Sequence, residues 1–117
     1  MGDLSDHFSR HEFACNCGCG KDTVDTELLT LCEIVREIEG GPVRVASGHR
    51  CRAHNQRAGG KSRSQHLYGR AADLIVRDPE HTALILDQRF PDKYGIGVYD
   101  HWIHVDSRAD RARWRGL

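Results

Sequence analysis

The apolar residues of this chain fall in short runs whose spacing switches between three-and-four and two, so helix and strand segments must both be packed into one small core. From Thr23 to Glu39, Leu28, Leu31, Cys32, Val35 and Ile38 recur at three- and four-residue steps, which predicts a helix with one buried face. Gly40, Gly41 and Pro42 end it. Pro42 to Ser47 (PVRVAS) alternates apolar with polar residues and predicts a strand, after which GHRCRAHNQRA opens a short helix. Gly59 to Gln65 (GGKSRSQ) has no periodicity and predicts a surface loop. Ala71 to Val76 (AADLIV) suits a buried strand, and Pro79 followed by ALIL predicts a helix to about Phe90. Tyr94 to Tyr99 (YGIGVY) and Trp102 to Asp106 (WIHVD), separated by Asp100 and His101, predict a hairpin. Without regular alternation of strand and helix, this order predicts an α+β fold: a small, mostly antiparallel central sheet with flanking helices on one side.

A chain of 117 residues has room for one domain and one modest core, so positions 1–117 read as a single domain. Seventeen basic residues balance seventeen acidic ones, which removes any net field that would drive the chain onto nucleic acid or anionic lipid. No stretch approaches the ~20 apolar residues of a membrane span. The first residues, MGDLSDHFSRHEF, hold no apolar run of the signal-peptide kind, so synthesis in the cytoplasm is expected. A monomer is expected.

Eight histidines in so short a chain point to metal chemistry. A hydrolytic zinc site needs about three protein ligands, usually imidazoles with or without a carboxylate, and one open position. In SQHLYGRAAD, His66 and Asp73 can converge, because Gly69 lets the chain turn tightly between loop and strand. His104, in HWIHVD, lies on a strand that can pair beside the first. Spacing alone leaves open that these are ordinary surface or hydrogen-bonded residues.

The pattern around them narrows the choice. SGHR (Ser47 to Arg50), SQHLYGRAAD (Ser64 to Asp73) and IHVD (Ile103 to Asp106), in that order, closely resemble the zinc D-Ala-D-Ala carboxypeptidase and endopeptidase family. That family includes vancomycin-resistance dipeptidases and phage L-alanyl-D-glutamate endolysins, and is similar in fold to the hedgehog signalling domain. The resemblance spans roughly Phe8 to Trp114. It implies one zinc ion held by His66, Asp73 and His104, and hydrolysis of peptide bonds in peptidoglycan. It further implies that the chain reaches the cell wall after release or as part of a phage particle.

The resemblance assigns Arg50 to the substrate carbonyl or carboxylate and to the oxyanion, with His49 at the aromatic position of the motif. Ser64, Gln65 and Tyr68 are expected to contact substrate, with Tyr94 and Tyr99 as further candidates. Several family members place a carboxylate general base three residues before the last histidine ligand. Here that position is His101, expected as the base, with Asp100 as understudy. Asp106 shares a face with His104 and is expected either to orient it or to cap a turn, and Trp102 to wall the cleft or fill the core. The departure at His101 favours an alternative: a zinc-stabilised binding module of the same fold without turnover.

CNCGCG sets Cys15, Cys17 and Cys19 at alternate positions, and Cys32 and Cys51 make five thiols. An odd number leaves at least one free unless it binds metal or another chain. Cys15, Cys17 and Cys19 can hold a second, structural metal or enter disulfides, but paired CxxC is missing and CxC spacing is awkward on one tetrahedral ion. Free or buried thiols stand beside those two readings. The absent CxxC pairs and the balanced charge also argue against a nucleic-acid-binding zinc module. Similar cysteine-rich starts occur in phage-borne relatives, so positions 13–20 read as an embellishment.

Overall fold

Asp25 sets the start of the first helix in this computed structural model, which describes residues 2–61 and 64–116. Its carboxylate accepts the Leu28 N–H at 3.2 Å, so α1 (Thr26–Glu39) begins three residues later than the periodicity predicts. Gly40, at φ 72°, closes it. Leu28, Leu31, Cys32, Ile34 and Val35 are its buried residues. Strand β1 (Arg44–Ser47) is followed by α2 (Arg52–Arg57), then by β2 (Ala71–Ile75). Ser62 and Arg63, within the predicted loop between α2 and β2, lie outside the described residues. Helix α3 (Pro79–Arg89) opens with proline in its first turn and with Asp78 accepting the His81 N–H. Strands β3 (Gly95–Val98) and β4 (Trp102–Asp106) form the predicted hairpin, and β5 (Ala112–Arg115) follows.

The strands form one sheet in the order β1-β2-β4-β3-β5. All neighbours are antiparallel except β3 and β5, which run parallel. Alternation divides the sheet into two faces. Ala72, Leu74, Ile96, Ile103 and Val105 join Leu28, Leu31, Val35 and Leu86 in the core under α1 and α3. On the other face one register line crosses the whole sheet: Ser47 opposite Asp73, Asp73 opposite His104, His104 opposite Gly97, and Gly97 opposite Trp114.

Two features depart from expectation. Strand β5 has no counterpart in the predicted pattern, because ARWR, although it alternates, is short, follows a run of charged residues and puts no residue into the core. Arg113 anchors it instead, with Nε on Asp87 at 2.7 Å and Nη2 on the Phe90 carbonyl at 2.7 Å. Helix α2 does not join the layer over the core; it packs against the 3-10 turn Gln65–Tyr68. No described helix is long and apolar enough to cross a membrane.

Candidate metal centre

A β-bulge prepares the site. Val45 pairs with Leu74 but Ser47 with Asp73, so Ala46 is an extra residue that turns Ser47 onto the face of Asp73. The 3-10 turn then supplies His66. Ser64 Oγ accepts the His66 N–H at 3.2 Å, and Gly69 leaves the turn at φ 67°, where a Cβ would run into the Thr23 backbone.

His66 Nδ1 lies 2.7 Å from the Gly48 carbonyl. A carbonyl only accepts, so Nδ1 carries a proton there, and Nε2 is turned to Asp73 Oδ1, 3.3 Å away. His104 uses the opposite nitrogen: its Nδ1 is 3.1 Å from the same Asp73 Oδ1, while Nε2 donates to Asp106 Oδ2 at 2.7 Å. One ligand atom from each of His66, Asp73 and His104 lies within 4.8 Å of the others, and all three residues are buried. Two imidazoles whose far N–H groups are held by the protein, with one carboxylate between them, form a donor set that fits a divalent ion and leaves a position open.

Within the cluster the charges compensate one another. Burial works to raise the Asp73 carboxyl, but hydrogen bonds from His104 and His66 outweigh it and hold the group well below the usual carboxylate range. Burial likewise opposes charge on His104, yet its hydrogen bonds to Asp106 and Asp73 prevail and raise its pKa above the ordinary imidazole value. Asp106 sits low for the matching reason: burial is overcome by His104 and Arg108. The spot attracts positive charge.

Arg50 closes one side. Its N–H donates to the His66 carbonyl at 2.9 Å, Nε to Ser47 Oγ at 3.1 Å, Nη1 to Asn55 Oδ1 at 3.4 Å and Nη2 to Asp73 Oδ2 at 3.4 Å. A cleft of about 720 Å³ opens over the cluster, lined also by Ser64, Gln65, Tyr99, Trp102 and Trp114. Tyr99 and Trp102 stack 3.7 Å apart, Trp114 Nε1 donates to Tyr99 Oη at 3.0 Å, and the Trp114 ring lies 4.9 Å from His104. Trp102 thus forms cleft wall. Gln65 Oε1 is buried without a hydrogen-bond partner among the described residues.

Several expected residues stand elsewhere. His101 and Asp100 are exposed in the turn between β3 and β4 and line no part of the cleft. The cause is alternation: Trp102, His104 and Asp106 face the cleft, so His101 cannot. Tyr68 is half exposed and borders a separate depression with Lys21 and Arg52. Tyr94 is buried, its hydroxyl donating to Glu27 at 2.8 Å. His49 is structural: its Nδ1 accepts the Thr23 N–H at 3.0 Å and its Nε2 donates to the Leu67 carbonyl at 3.1 Å. Asp106 both holds His104 and accepts the Arg108 guanidinium through two bonds of 2.8 Å. Arg108, Trp114 and Asn55 were not foreseen at the site; only the nearness of Arg108 to Asp106 in sequence hinted at one of them.

Fold and site define a class: a small α+β protein with a buried two-histidine, one-aspartate cluster at the floor of a cleft. The model of the Peptidase M15 family matches residues 6–106, and the chain belongs to that family. The match takes in all three cluster residues and stops short of β5. Comparison with curated proteins gives no match. Family membership makes the chain a metallopeptidase, with a peptidase role and a peptide substrate.

Proposed function

We propose that this metallopeptidase is zinc-dependent and cuts peptide bonds in the stem or cross-bridge peptides of peptidoglycan, with His66, Asp73 and His104 as the ligands. The observation that carries the reading is the convergence of those three buried donors beside Arg50 at the floor of an open cleft. When bound, zinc supplies the Lewis acidity that polarises the scissile carbonyl and makes water a nucleophile at neutral pH. Arg50, held by Ser47 and Asn55, presents a fixed planar donor where negative charge develops on the carbonyl oxygen. Gln65 Oε1, without a partner among the described residues, can accept a substrate N–H, and the wall of Tyr99, Trp102 and Trp114 offers flat apolar surface. Arg50, Lys61 and Arg108 outnumber Asp73 among the charged cleft residues, which suits a peptide rich in carboxylates. The resemblance of SGHR, SQHLYGRAAD and IHVD to the D-Ala-D-Ala peptidases supports the choice of cell wall. Action there follows release from the cell or delivery by a phage particle.

A second reading, a zinc-stabilised binding module without turnover, is favoured by one observation. Among the described residues lining the cleft, Asp73 is the only carboxylate, and neither His101 nor Asp100 reaches it. One experiment separates the two. The purified chain is incubated with peptidoglycan and with synthetic stem peptides, with and without chelator, alongside His66→Ala. Cleavage abolished by chelator and by the substitution is expected. Zinc bound at the cleft with no cleavage of any stem peptide supports the module, and cleavage indifferent to chelator overturns the zinc mechanism.

A further inference from the structure

Away from the cleft, CNCGCG meets the loop that follows β1. The sulfurs of Cys15, Cys17, Cys19 and Cys51 all lie within 4.8 Å of one another. Cys15 and Cys17 are 3.4 Å apart and Cys17 and Cys51 3.6 Å apart, far beyond the ~2 Å of a disulfide. Four sulfurs at ~2.3 Å from one tetrahedral ion would be separated by about 3.8 Å, close to what is found. We infer that Cys15, Cys17, Cys19 and Cys51 form a second, structural site for one thiophilic divalent cation, which ties the N-terminal segment to the loop carrying Arg50.

The local chain is built for it. CxC spacing is awkward in an extended or helical segment, but Gly18 and Gly20, at φ 82° and 89°, curl this one around. The Cys15 N–H donates to the Lys21 carbonyl at 2.7 Å and the Gly18 N–H to the Cys15 carbonyl at 3.0 Å, closing the curl. Two backbone N–H groups point at sulfur: that of Cys51 at Cys15 Sγ and that of His54 at Cys51 Sγ, each at 3.4 Å. Lys21 and Arg52 border the depression beside Cys51 and offset the surplus negative charge of four thiolates on a dication. Cys17 and Cys19 are exposed, so a cation has access, while Cys15 is buried and roots the site in the fold. Cys32 lies in the core and takes no part.

The consequence reaches the cleft. Cys51 follows Arg50 directly, the His49 N–H donates to the Phe13 carbonyl at 2.8 Å, and Asn16 Nδ2 donates to the Ala46 carbonyl at 3.0 Å. A cation joining Cys51 to Cys15, Cys17 and Cys19 would fix the segment from which Arg50 reaches Asp73.

The full chain, reduced and freed of metal, is titrated with zinc and separately with cobalt(II). Two zinc ions per chain are expected, together with the near-ultraviolet sulfur-to-cobalt charge-transfer absorption that imidazole and carboxylate ligands do not produce. His66→Ala should lower zinc to one per chain and keep that absorption. Cys17→Ser/Cys19→Ser should abolish it and keep the cleft ion. Zinc should also slow the reaction of the wild-type thiols with a thiol reagent at least tenfold, a readout that needs no variant to fold. Absence of the charge-transfer band in the reduced chain, thiols equally reactive with and without zinc, or disulfides by mass in a protein that binds no metal once reduced would each overturn the site. The inference rests on the cysteines alone. A missing band with stem-peptide cleavage intact sinks the second site, and a band without cleavage sinks the peptidase reading.

Discussion

Asp106 carries no expected ligand role, yet it is fully buried and gathers the Gly95 N–H, the Arg108 guanidinium and His104 Nε2 on two oxygens. By holding Nε2–H it fixes which nitrogen of His104 faces Asp73. Asp106→Asn should therefore weaken zinc binding by about 10–100-fold while far-UV circular dichroism shows a folded chain. Competition against a chromophoric chelator measures this, and unchanged affinity would remove the orienting role. Arg50→Lys tests the cleft differently. Lysine keeps the charge but loses the planar donors set by Ser47 and Asn55, so kcat on stem peptides should fall by roughly 10²–10³ with zinc content unchanged. At this scale the legibility of the sequence was uneven for a physical reason. His66 and Asp73 share one contiguous stretch, and His104 sits in a strand whose register could be guessed. Strand alternation already set His101 opposite His104, and only the turn before Trp102 left room for it to bend back; Trp114 came into view only once β5 was seen to lie beside β3.

Elements explain what the residues cannot. The helix and strand periods around α1, β2, α3 and β4 were readable because each alternates against a single core. Strand β5 was not, since it is held by Arg113 rather than by apolar packing. Gly97 shows how β5 and β3 depend on each other: a Cβ there would collide with the Trp114 indole, a rigid ring with little room to yield. Gly97→Ala should cost about 1–3 kcal/mol of stability by overpacking and shift the tryptophan emission, both read in one thermal unfolding experiment. The N-terminal segment hangs on α1 through Glu33, which accepts Ser5 Oγ at 2.5 Å, the His7 N–H at 2.9 Å and His7 Nδ1 at 2.7 Å. Burial works to raise Glu33, but the bonds from Ser5 and His7 prevail and hold its pKa below the usual glutamate value. A depressed folded pKa contributes stability above the unfolded value of ~4.3 and loses it as pH falls through the folded one. Hydrogen-exchange protection of the His7 amide should accordingly fall on acidification below about pH 4 in the wild type. In Glu33→Gln it should be low and flat over the same range.

Across the whole molecule, core and metal cluster occupy opposite faces of one sheet, so they need not fold together. The core under α1 and α3 closes without any ligand residue. Nor does the cluster leave bare charge behind when metal is absent: Asp73 is met by His66, His104 and Arg50, and Asp106 by His104 and Arg108. A metal-free chain should therefore stay folded and unfold cooperatively, unlike a zinc finger, whose core does not form without its ion. Zinc then adds stability by mass action. At a free concentration a thousandfold above its dissociation constant, one site contributes about 4 kcal/mol, or roughly 10–20 °C in Tm for a chain of this length. Scanning calorimetry of chelated and zinc-loaded protein checks both halves, and His66→Ala isolates the share of the cleft. A His66→Ala chain that keeps its cysteine-bound ion and yet shows no cooperative transition would mean that the two faces of the sheet are coupled, and that the cluster is part of the folding core rather than a site mounted upon it.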